Sequence, residues 1–395
     1  MEEYGSSSFI DSYPSEAVIK VVGVGGGGGN AINRMIRSGI GGVYYIAMNT
    51  DVQALYNSTA DERLALGREL TGGLGAGGNP EIGREAAEES KDEIRKALEG
   101  ANMVFITTGM GGGTGTGASP IVAEIARSMG ILTVAVVTTP FIFEGKKKVE
   151  IAFQGIEKLK TQVDTLIQVP NEQLLRLCQN DTSMKEALLL ADDVLLQGIS
   201  GISELITEPG EINIDFADVK SALKNSGDAI MGIGEGEGEN RAIDAVKSAI
   251  NNPLLKDASI NGARNVLINV AAGDSLTLQE YQSVVEYVRS ITDIDALVKP
   301  GQSINTALGN KIRVTVVATG FAPHISVLEA QIAEMRQKGS FVNTSFERDS
   351  DGTKIIRHWQ ELCPQIGENI DYDDYSVPAV IRYSLKPNTP YNDGR

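Results

Sequence analysis

The chain has 395 residues, 52 acidic and 35 basic side chains, a formal net charge of −17 and 42% hydrophobic residues. This length predicts two or three domains, and the negative charge excludes general nucleic-acid binding because phosphate backbones would be repelled. No apolar run approaches the roughly 20 residues needed for direct membrane insertion, and the only two cysteines and two histidines match no disulfide or metal pattern.

The first predicted elements are a strand, a glycine loop and a helix. Residues 1–16 are polar and serine-rich and predict a disordered tail. The β-branched residues 17–24 predict the first core strand, and the glycine run 25–29 follows, closed by Asn30. Helical spacing then predicts a helix over residues 31–37.

This first loop also satisfies the dinucleotide-binding pattern G-x-G-x-x-G through Gly23, Gly25 and Gly28. A second strand over residues 44–48 ends shortly before Asp51, the acid that such a site uses to hold ribose. A nicotinamide-dependent oxidoreductase is therefore one alternative. It needs only one phosphate loop, however, and the chain has a second.

Two further glycine clusters follow the same plan. Residues 72–78 end at Asn79-Pro80 and predict a long helix over residues 80–98. Residues 107–119 read T-T-G-M-G-G-G-T-G-T-G-A-S, between a predicted strand at 103–107 and a helix at 120–129. Glycine loops let backbone N–H groups approach an anion closely, and Thr114 and Thr116 add hydroxyl donors. Three such loops predict one ligand-binding edge of a parallel α/β sheet.

Strands at residues 132–138 and 166–169 continue the first predicted domain. Between them, residues 140–148 read P-F-I-F-E-G-K-K-K, a solvated loop with a charge run in the plainest interpretation. Glu144 stands out in it, because a carboxylate suits the hydroxyl groups of ribose.

A long helix is predicted over Met184–Thr207, with an apolar stripe interrupted by Asp192 and Asp193. A carboxylate accepts two hydrogen bonds from the N1 and N2 groups of guanine, and adenine has no such donor pair. Asp193 is therefore a candidate for base recognition, and the alternative is a solvated helix residue.

Pro209 and Gly210 end this helix, and N-I-D-F-A-D follows with a helix predicted from Val219 onward. Asp218 suits an N-cap and Asp215 a turn. Two carboxylates and the Asn213 amide suit the ordering of a water equally well, so both interpretations stay open.

The second half predicts another α/β domain. Residues 232–238 are rich in glycine and glutamate and predict a loop, and helices over residues 240–250 and Leu278–Ile291 alternate with strands over residues 265–271 and Ile312–Thr319. Two shorter strands are expected between Leu278–Ile291 and Ile312–Thr319. A helix is expected over residues 324–337, and the apolar residues 375–382 predict a terminal strand or a partner-binding peptide.

The sequence G-G-G-T-G-T-G resembles the signature loop of the tubulin/FtsZ superfamily, and its surroundings are similar to the bacterial FtsZ family within it. The resemblance runs from about residue 18 to residue 320. It implies that the three loops contact the nucleotide through Gly26, Gly27, Gly28, Gly29, Asn30, Gly75, Ala76, Gly77, Gly111, Gly112, Gly113, Thr114, Gly115, Thr116 and Gly117.

The same resemblance implies roles for individual side chains. Glu144 would hold ribose with Lys148 nearby, and Asn171 and Asp193 would recognise guanine. The family's N-x-D-x-x-D loop falls on Asn213, Asp215 and Asp218, and these are the implied catalytic residues.

The implied protein is a GTPase that is activated by polymerisation and forms the filaments of bacterial cytokinesis, with a tubulin-like plasmid-segregation or cell-shape GTPase as the nearer alternative. It would use GTP/GDP and Mg²⁺, the metal lying mainly on the phosphates. Its expected parts are a GTP-binding domain (17–183), a central helix (184–208), a second α/β domain (209–321), a linker (322–374) and a tail (375–395).

Its expected partners are further copies of itself, in head-to-tail filaments, and membrane-tethering or division-regulating proteins bound by the tail. The expected location is the cytoplasm at the mid-cell division site. Three departures from the family pattern stand out: Lys148 replaces the usual arginine, Leu188 replaces a base-stacking phenylalanine, and Val380 replaces the aromatic residue of the tail motif.

Overall fold

The computed structural model describes residues 17–175, 182–208, 210–252, 260 and 262–321. The predicted N-terminal tail, the helix over residues 324–337, the linker, the terminal peptide and the side chain of Leu188 lie outside the described residues.

Ten strands form one sheet in the order β3-β2-β1-β4-β5-β6-β7-β10-β8-β9. The strands from β3 to β7 are parallel, β10 runs antiparallel to β7 and β8, and β9 is parallel to β8. Their bounds are β1 Ile19–Val24, β2 Val43–Asn49, β3 Glu62–Ala65, β4 Met103–Gly109, β5 Leu132–Thr139, β6 Thr165–Pro170, β7 Gly227–Gly236, β8 Asn265–Ala272, β9 Leu297–Ile304 and β10 Ile312–Thr319.

Twelve α-helices accompany these strands in the described part of the chain. They are α1 Gly25–Arg37, α2 Val52–Tyr56, α3 Arg68–Thr71, α4 Pro80–Glu89, α5 Lys91–Leu98, α6 Thr114–Ser128, α7 Lys146–Lys160, α8 Asn171–Leu174, α9 Met184–Thr207, α10 Phe216–Leu223, α11 Arg241–Ile250 and α12 Leu278–Ile291. The predicted α/β fold class is confirmed.

The central strands β1, β4, β5 and β6 are buried over most of their length because helices cover the sheet. All eight residues of β5 are buried, which agrees with its sequence of apolar residues and threonines. The long helix α9 packs on the sheet through Leu195, Ile199 and Ile202, as its apolar stripe predicted. Its Ser183 N-cap forms a capping box with Glu186, which fixes its start at the predicted residue.

The sheet is continuous through both predicted domains. β6 and β7 join its two halves through only three residue pairs, Thr165–Gly227 to Ile167–Ala229. One apolar cluster lies around β1, β4, β5 and α9, and a second lies among β8, β10, α11 and α12. The domain boundaries themselves stay a prediction.

The predicted loop over residues 232–238 is wrong, because most of it belongs to β7. Its glycines allow close packing: a Cβ at Gly234 would overlap the backbone of Ala249, and one at Gly236 would overlap that of Arg241. A glycine-rich sequence is typical of a loop, but these glycines lie in β7 and allow α11 to pack closely against it.

Two other expectations about helices and strands differ from the structure, and three short elements were not expected. The helix predicted over residues 80–98 is broken at Ser90 into α4 and α5. One strand, β9, and a short 3-10 turn at Thr306–Leu308 replace the two strands expected before β10. The short elements α2, β3 and α3 were not predicted, since their sequence shows no clear periodicity.

Candidate functional site

The first glycine stretch forms the opening turns of α1 rather than a loop before it. α1 begins at Gly25, directly after β1 ends at Val24. A Cβ at Gly25 would lie 2.8 Å from the backbone nitrogen of Gly115, and one at Gly28 would overlap the carbonyl oxygen of Thr107. The prediction of a helix starting at residue 31 is wrong, because this close packing overrides the low helix propensity of glycine.

The signature loop likewise continues into its helix, since α6 begins at Thr114 and not at residue 120. Gly111, at φ +100°, donates its backbone N–H to Thr116 Oγ1 at 2.9 Å. Thr114 Oγ1 lies 2.6 Å from Thr50 Oγ1, which directly follows β2. Thr116 is 2% exposed, so its hydroxyl holds the loop from inside.

The third glycine cluster lies against this signature loop. The N–H of Gly75 donates to the carbonyl of Thr50 at 3.2 Å, and Asn79 caps α4 by accepting a backbone N–H at 3.0 Å. A Cβ at Gly113 would lie 2.9 Å from Ala76 Cβ and from the nitrogen of Asn79. The three loops therefore meet at the carboxyl ends of the parallel strands, as predicted.

The glycines that do not touch these neighbours face open space. No heavy atom lies within 4 Å of a Cβ built at Gly26, Gly29, Gly77 or Gly112. Neither α1 nor α6 has a capping side chain or an acidic residue in its first turn. Uncapped N–H groups and two positive helix ends thus surround an open space that suits an anion such as phosphate.

Asp51 has a different role from the one that the oxidoreductase alternative requires. Its Oδ1 accepts the backbone N–H of Gln53 at 2.8 Å and so caps α2. The carboxylate therefore stabilises its own helix.

Glu144 and Lys148 lie beside the signature loop and contact each other. Glu144 ends a 3-10 turn, where its Oε1 accepts the N–H of Phe141 at 2.9 Å and its Oε2 pairs with Lys148 Nζ at 2.8 Å. The lysine run opens the helix α7, so its interpretation as a loop is wrong. A Cβ at Gly111 would lie 2.9 Å from the carbonyl oxygen of Lys148, which shows how near α7 comes to the signature loop.

Asn171 is the first residue of α8, directly after β6. The residue is 7% exposed, and its Oδ1 has no hydrogen-bond partner among the described residues. A buried carbonyl oxygen without a donor costs free energy, so this atom suits a ligand that brings an N–H group.

Asp193 is held by an arginine that the sequence analysis did not single out. Arg34, on α1, places Nε 2.5 Å from Asp193 Oδ1 and Nη2 2.6 Å from Oδ2. The carboxylate therefore lies at the end of α1 away from its glycines and already has a two-point partner. In the sequence, the only indication of this contact is an arginine on the helix that follows the first glycine run.

Asp192, next to this pair, lies in a different environment. Burial raises the pKa of Asp192 to about 6, and the neighbouring charge of Asp193 adds to the shift while Arg34 opposes it.

The candidate catalytic residues lie together at the start of α10. Asp215 is the N-cap, and its Oδ1 accepts the N–H of Asp218 at 2.7 Å. Asp218 pairs with Lys299 of β9 at 2.7 Å, and Asn213 Oδ1 accepts the N–H of Gly210 at 2.7 Å. The assignment of Asp218 as the N-cap is therefore wrong, because the helix begins three residues earlier than predicted.

This loop lies at the opposite end of the sheet from the glycine loops. A Cβ at Gly42, just before β2 begins, would lie 2.7 Å from Thr207 Cβ at the end of α9. The end of α9 therefore packs at the amino ends of the strands, whereas the glycines follow their carboxyl ends. The structure brings the three glycine loops together and leaves Asn213, Asp215 and Asp218 apart from them.

Family models match both halves of the chain. Residues 18–179 match "Tubulin/FtsZ family, GTPase domain", and residues 227–322 match "FtsZ family, C-terminal domain". The chain belongs to the tubulin/FtsZ family. Within it the second match assigns the chain to the FtsZ branch, and the first shows that it carries the family's GTPase domain, which binds guanine nucleotide.

Curated relatives agree with this assignment over nearly the whole length. The chain is 52% identical to the "Cell division protein FtsZ" of Pseudomonas putida over 397 residues, covering 94% of this chain and 98% of the relative. It is 46% identical to that of Pseudomonas aeruginosa, with the same coverage of both chains.

Solved structures share the FtsZ fold. An empty FtsZ dimer from M. jannaschii matches at a TM-score of 0.75 and 49% identity, covering 78% of this chain and 89% of that one. A GTPγS-bound protofilament of CetZ2 from Haloferax volcanii matches at a TM-score of 0.67 and 21% identity, covering 82% and 100%. The second likeness concerns the fold alone.

In the described part of this FtsZ-family chain, no helix is long and apolar enough to cross a membrane. The same residues include no group of three or more histidine, cysteine, aspartate or glutamate side chains able to hold a metal ion.

Proposed function

We propose that this chain, a filament-forming GTPase of cell division, assembles the division ring at mid-cell in the bacterial cytoplasm and hydrolyses GTP between successive subunits. The observation that carries this proposal is the separation of the glycine loops from the Asn213–Asp218 loop. Asp193 and the end of α9 are 14 residues apart, about 21 Å at about 1.5 Å per helical residue. This separation favours a site to which a neighbouring subunit brings the two carboxylates.

The glycine loops would hold the phosphates of GTP. Their open N–H groups and the uncapped ends of α1 and α6 supply positive potential without a lysine in the signature loop. Glu144 would accept the ribose hydroxyls, and Lys148 would balance its charge. Asn171 and Asp193 would bind the base, Asn171 through its Oδ1, which has no hydrogen-bond partner in the described part of the chain.

Mg²⁺ fits this site as a partner of the phosphates, since the described residues offer it no cluster of carboxylates and Mg²⁺ commonly keeps phosphate and water ligands. When bound, it would neutralise charge that develops on the phosphate oxygens. The protein's own part is to hold the nucleotide and to place groups around the γ-phosphate.

Asp215 and Asp218 would act on the GTP of the neighbouring subunit. The Asp215 side chain is exposed at the start of α10, and its capping bond uses only one carboxylate oxygen. The second oxygen is available to accept a proton of water and so orient that water towards the γ-phosphorus. Water adds to phosphorus as the bond to the β-phosphate oxygen breaks, which yields GDP and inorganic phosphate. A head-to-tail contact of this kind does not close on itself and gives an open filament.

A mixing experiment tests the shared site. Asp215→Asn keeps an oxygen that can cap α10 and removes the charge, so the chain should fold and bind GTP but hydrolyse it roughly a hundredfold more slowly. Gly112→Tyr places a side chain in the open space before the signature loop, so it should block GTP binding without disturbing the fold. Mixing the two should restore activity, because one kind of interface pairs an intact pocket with an intact carboxylate loop.

Each variant alone and wild-type chain diluted below its assembly threshold serve as controls. The shared-site mechanism is contradicted if GTP turnover per chain does not depend on protein concentration and the mixture of variants recovers no GTPase activity.

The tail would recruit membrane-tethering and division-regulating partners, because residues 375–382 are a short apolar stretch among acids. A chain ending at residue 374 should pellet with GTP as the full chain does and lose recruitment to such partners. If truncation abolished pelleting, residues 375–382 would belong to the filament contact.

A further inference from the structure

An open cavity of about 550 Å³ lies between α2, β3 and α3, next to Gly72 and Gly73 at the start of the glycine cluster 72–78. Its apolar lining includes Val52 and Leu55, and Tyr56 stands at its edge with 83% of its surface exposed. Half of the Val52 surface is also exposed, at 48%. So much exposed apolar surface around a cavity is typical of a surface that contacts another molecule.

The cavity also carries two arginine side chains that form no ion pair within the described part of the chain. Arg63 and Arg68 both line it, and neither side chain forms an ion pair or hydrogen bond with another described residue. In a chain of net charge −17, two such arginines at one cavity favour an apolar group with carboxylates beside it.

The turn between α12 and β9 presents a group with these properties. Ile294 is 100% exposed, the largest exposed fraction among the apolar side chains of the described residues. Asp293 and Asp295 flank it, and neither forms an ion pair within the described chain. Asp293 Oδ2 accepts the N–H of Gly262 at 3.0 Å, which holds the turn in place.

The cavity and this turn belong to opposite edges of the sheet. β3 is the first strand in the sheet order and contributes Arg63 to the cavity, whereas the Ile294 turn leads into β9, the last strand. A contact between them therefore cannot close within a pair of copies by two-fold symmetry and repeats from copy to copy.

We propose that Ile294 of one copy enters the Tyr56 cavity of a second copy, with Asp293 and Asp295 facing Arg63 and Arg68. The apolar side chain fills space beside Val52 and Tyr56, and the two charge pairs fix its orientation. The contact joins copies edge to edge. It is separate from the head-to-tail contact proposed above, and in filaments it joins neighbouring filaments side by side.

Charge exchange tests this pairing. Arg63→Glu with Arg68→Glu reverses the cavity, and Asp293→Arg with Asp295→Arg reverses the turn. Each double variant should weaken edge-to-edge association about tenfold or more, since each places like charges face to face. A one-to-one mixture of the two should recover association, because one variant's acidic cavity then meets the other's basic turn.

Two sedimentation speeds separate this contact from the proposed function. High-speed pelleting with Mg²⁺ and GTP collects single filaments and should be unchanged in all these variants, whereas low-speed pelleting collects laterally joined filaments and should fall. If the wild-type chain gave no high-speed pellet with Mg²⁺ and GTP, the proposed head-to-tail filament would be contradicted. Loss of the low-speed pellet alone concerns the edge contact.

Two further variants complete the design. Ile294→Ser removes the apolar group from a fully exposed position, so it should fold normally and still reduce the low-speed pellet. Arg95→Glu with Lys96→Glu, on the exposed face of α5, changes the net charge by the same amount as the cavity variant and should have no effect.

The proposal is overturned if the wild-type chain gives no low-speed pellet at low salt. It is also overturned if the turn variants associate normally, or if the mixture of reversed variants shows no recovery. If the cavity variants lose edge-to-edge association and the turn variants keep it, the cavity binds a different partner and the proposed pairing is wrong.

Discussion

Arg34 and Asp193 join α1 to α9 through two hydrogen bonds, of 2.5 and 2.6 Å, that occupy both oxygens of the Asp193 carboxylate. The two side chains are 29% and 36% exposed, so the pair lies at the surface of the site and not in the core. Each carboxylate oxygen has a second lone pair, and guanine can therefore bind Asp193 while Arg34 keeps the carboxylate oriented.

Asp193→Asn should weaken GTP binding by roughly ten- to a hundredfold, the equivalent of about 1.5–3 kcal/mol for a lost charge-assisted hydrogen bond. Titration calorimetry measures the effect directly. Xanthosine triphosphate carries a carbonyl where guanine has its N2 amino group, so the asparagine variant should bind it better than the wild-type chain does.

Arg34→Met is the matched control for this prediction. It removes the cation and leaves the carboxylate, so GTP should still be preferred over xanthosine triphosphate. Equal losses for both nucleotides in both variants would mean that the Arg34–Asp193 pair is structural and that the base is read elsewhere.

Asp192→Asn should stabilise the chain above about pH 6. Burial raises the pKa of Asp192 to about 6 from an ordinary value of 3.8, so the folded chain favours the protonated form. Stability linked to this group is fully present below pH 3.8 and is lost as the pH rises through 6. At pH 7.5 the variant should gain about 1 kcal/mol after allowance for solvent screening.

Thermal melting of both chains from pH 4 to pH 8 checks this. The two melting curves should converge towards pH 4, where the carboxyl group is protonated. A gain of the same size at every pH would show that the change acts through packing instead of titration.

Arg241→Ala should destabilise the second half of the fold by about 3–5 kcal/mol. Arg241 is 9% exposed and donates to both oxygens of Glu280, to the hydroxyl and carbonyl of Ser275 and to the carbonyl of Asn310. Its removal leaves a carboxylate without its cation in a largely buried position. Arg84→Ala is the control, since the exposed Arg84–Glu81 pair should contribute less than about 1 kcal/mol.

The same ion pair predicts an acid limit. The hydrogen bond from Arg241 lowers the pKa of Glu280 to about 2. The stabilisation from Glu280 is therefore present above its ordinary value of 4.5 and is lost as the pH falls towards 2. In Arg241→Ala this acid-dependent loss should shrink, and urea unfolding at pH 3 and pH 6 measures the difference.

Gly83→Ala should lower both stability and nucleotide affinity. A Cβ at Gly83 would overlap the carbonyl oxygen of Gly113, so α4 must move away from the signature loop, at a cost of about 1–3 kcal/mol. Gly41→Ala is the matched control, because no heavy atom lies within 4 Å of its Cβ position. Unchanged GDP affinity in Gly83→Ala would show that the loop tolerates the shift.

The sequence predicted the elements whose local signals agree with the fold. The helix α9 begins and ends where its capping box and the following proline place it, and β5 lacks charged residues because both its faces are covered. The loop predictions are wrong for the glycine-rich segments in which glycine allows two backbones to pack closely. Gly25 and Gly28 belong to a helix and Gly234 to a strand, because each touches the backbone of a neighbour that is distant in the chain.

The candidate site likewise has features that the local sequence predicts and contacts that it does not predict. The three glycine loops are local motifs, so their strand–loop–helix order was visible in the sequence. The Arg34–Asp193 pair joins residues 159 positions apart, and the Asp218–Lys299 pair joins residues 81 apart. No local pattern encodes such contacts, because they depend on how the sheet brings its covering helices together.

The uncapped starts of α1 and α6 have a consequence for folding as well as for binding. Neither helix has a side chain to satisfy its first backbone N–H groups, so a bound phosphate completes the hydrogen bonding that the chain itself leaves open. Nucleotide at a hundred times its dissociation constant would add about 2.7 kcal/mol to the free energy of unfolding. The amount of folded chain in a cell should therefore depend on the supply of guanine nucleotide. In a cell short of nucleotide, we expect proteolysis to begin near the first turns of α1 and α6.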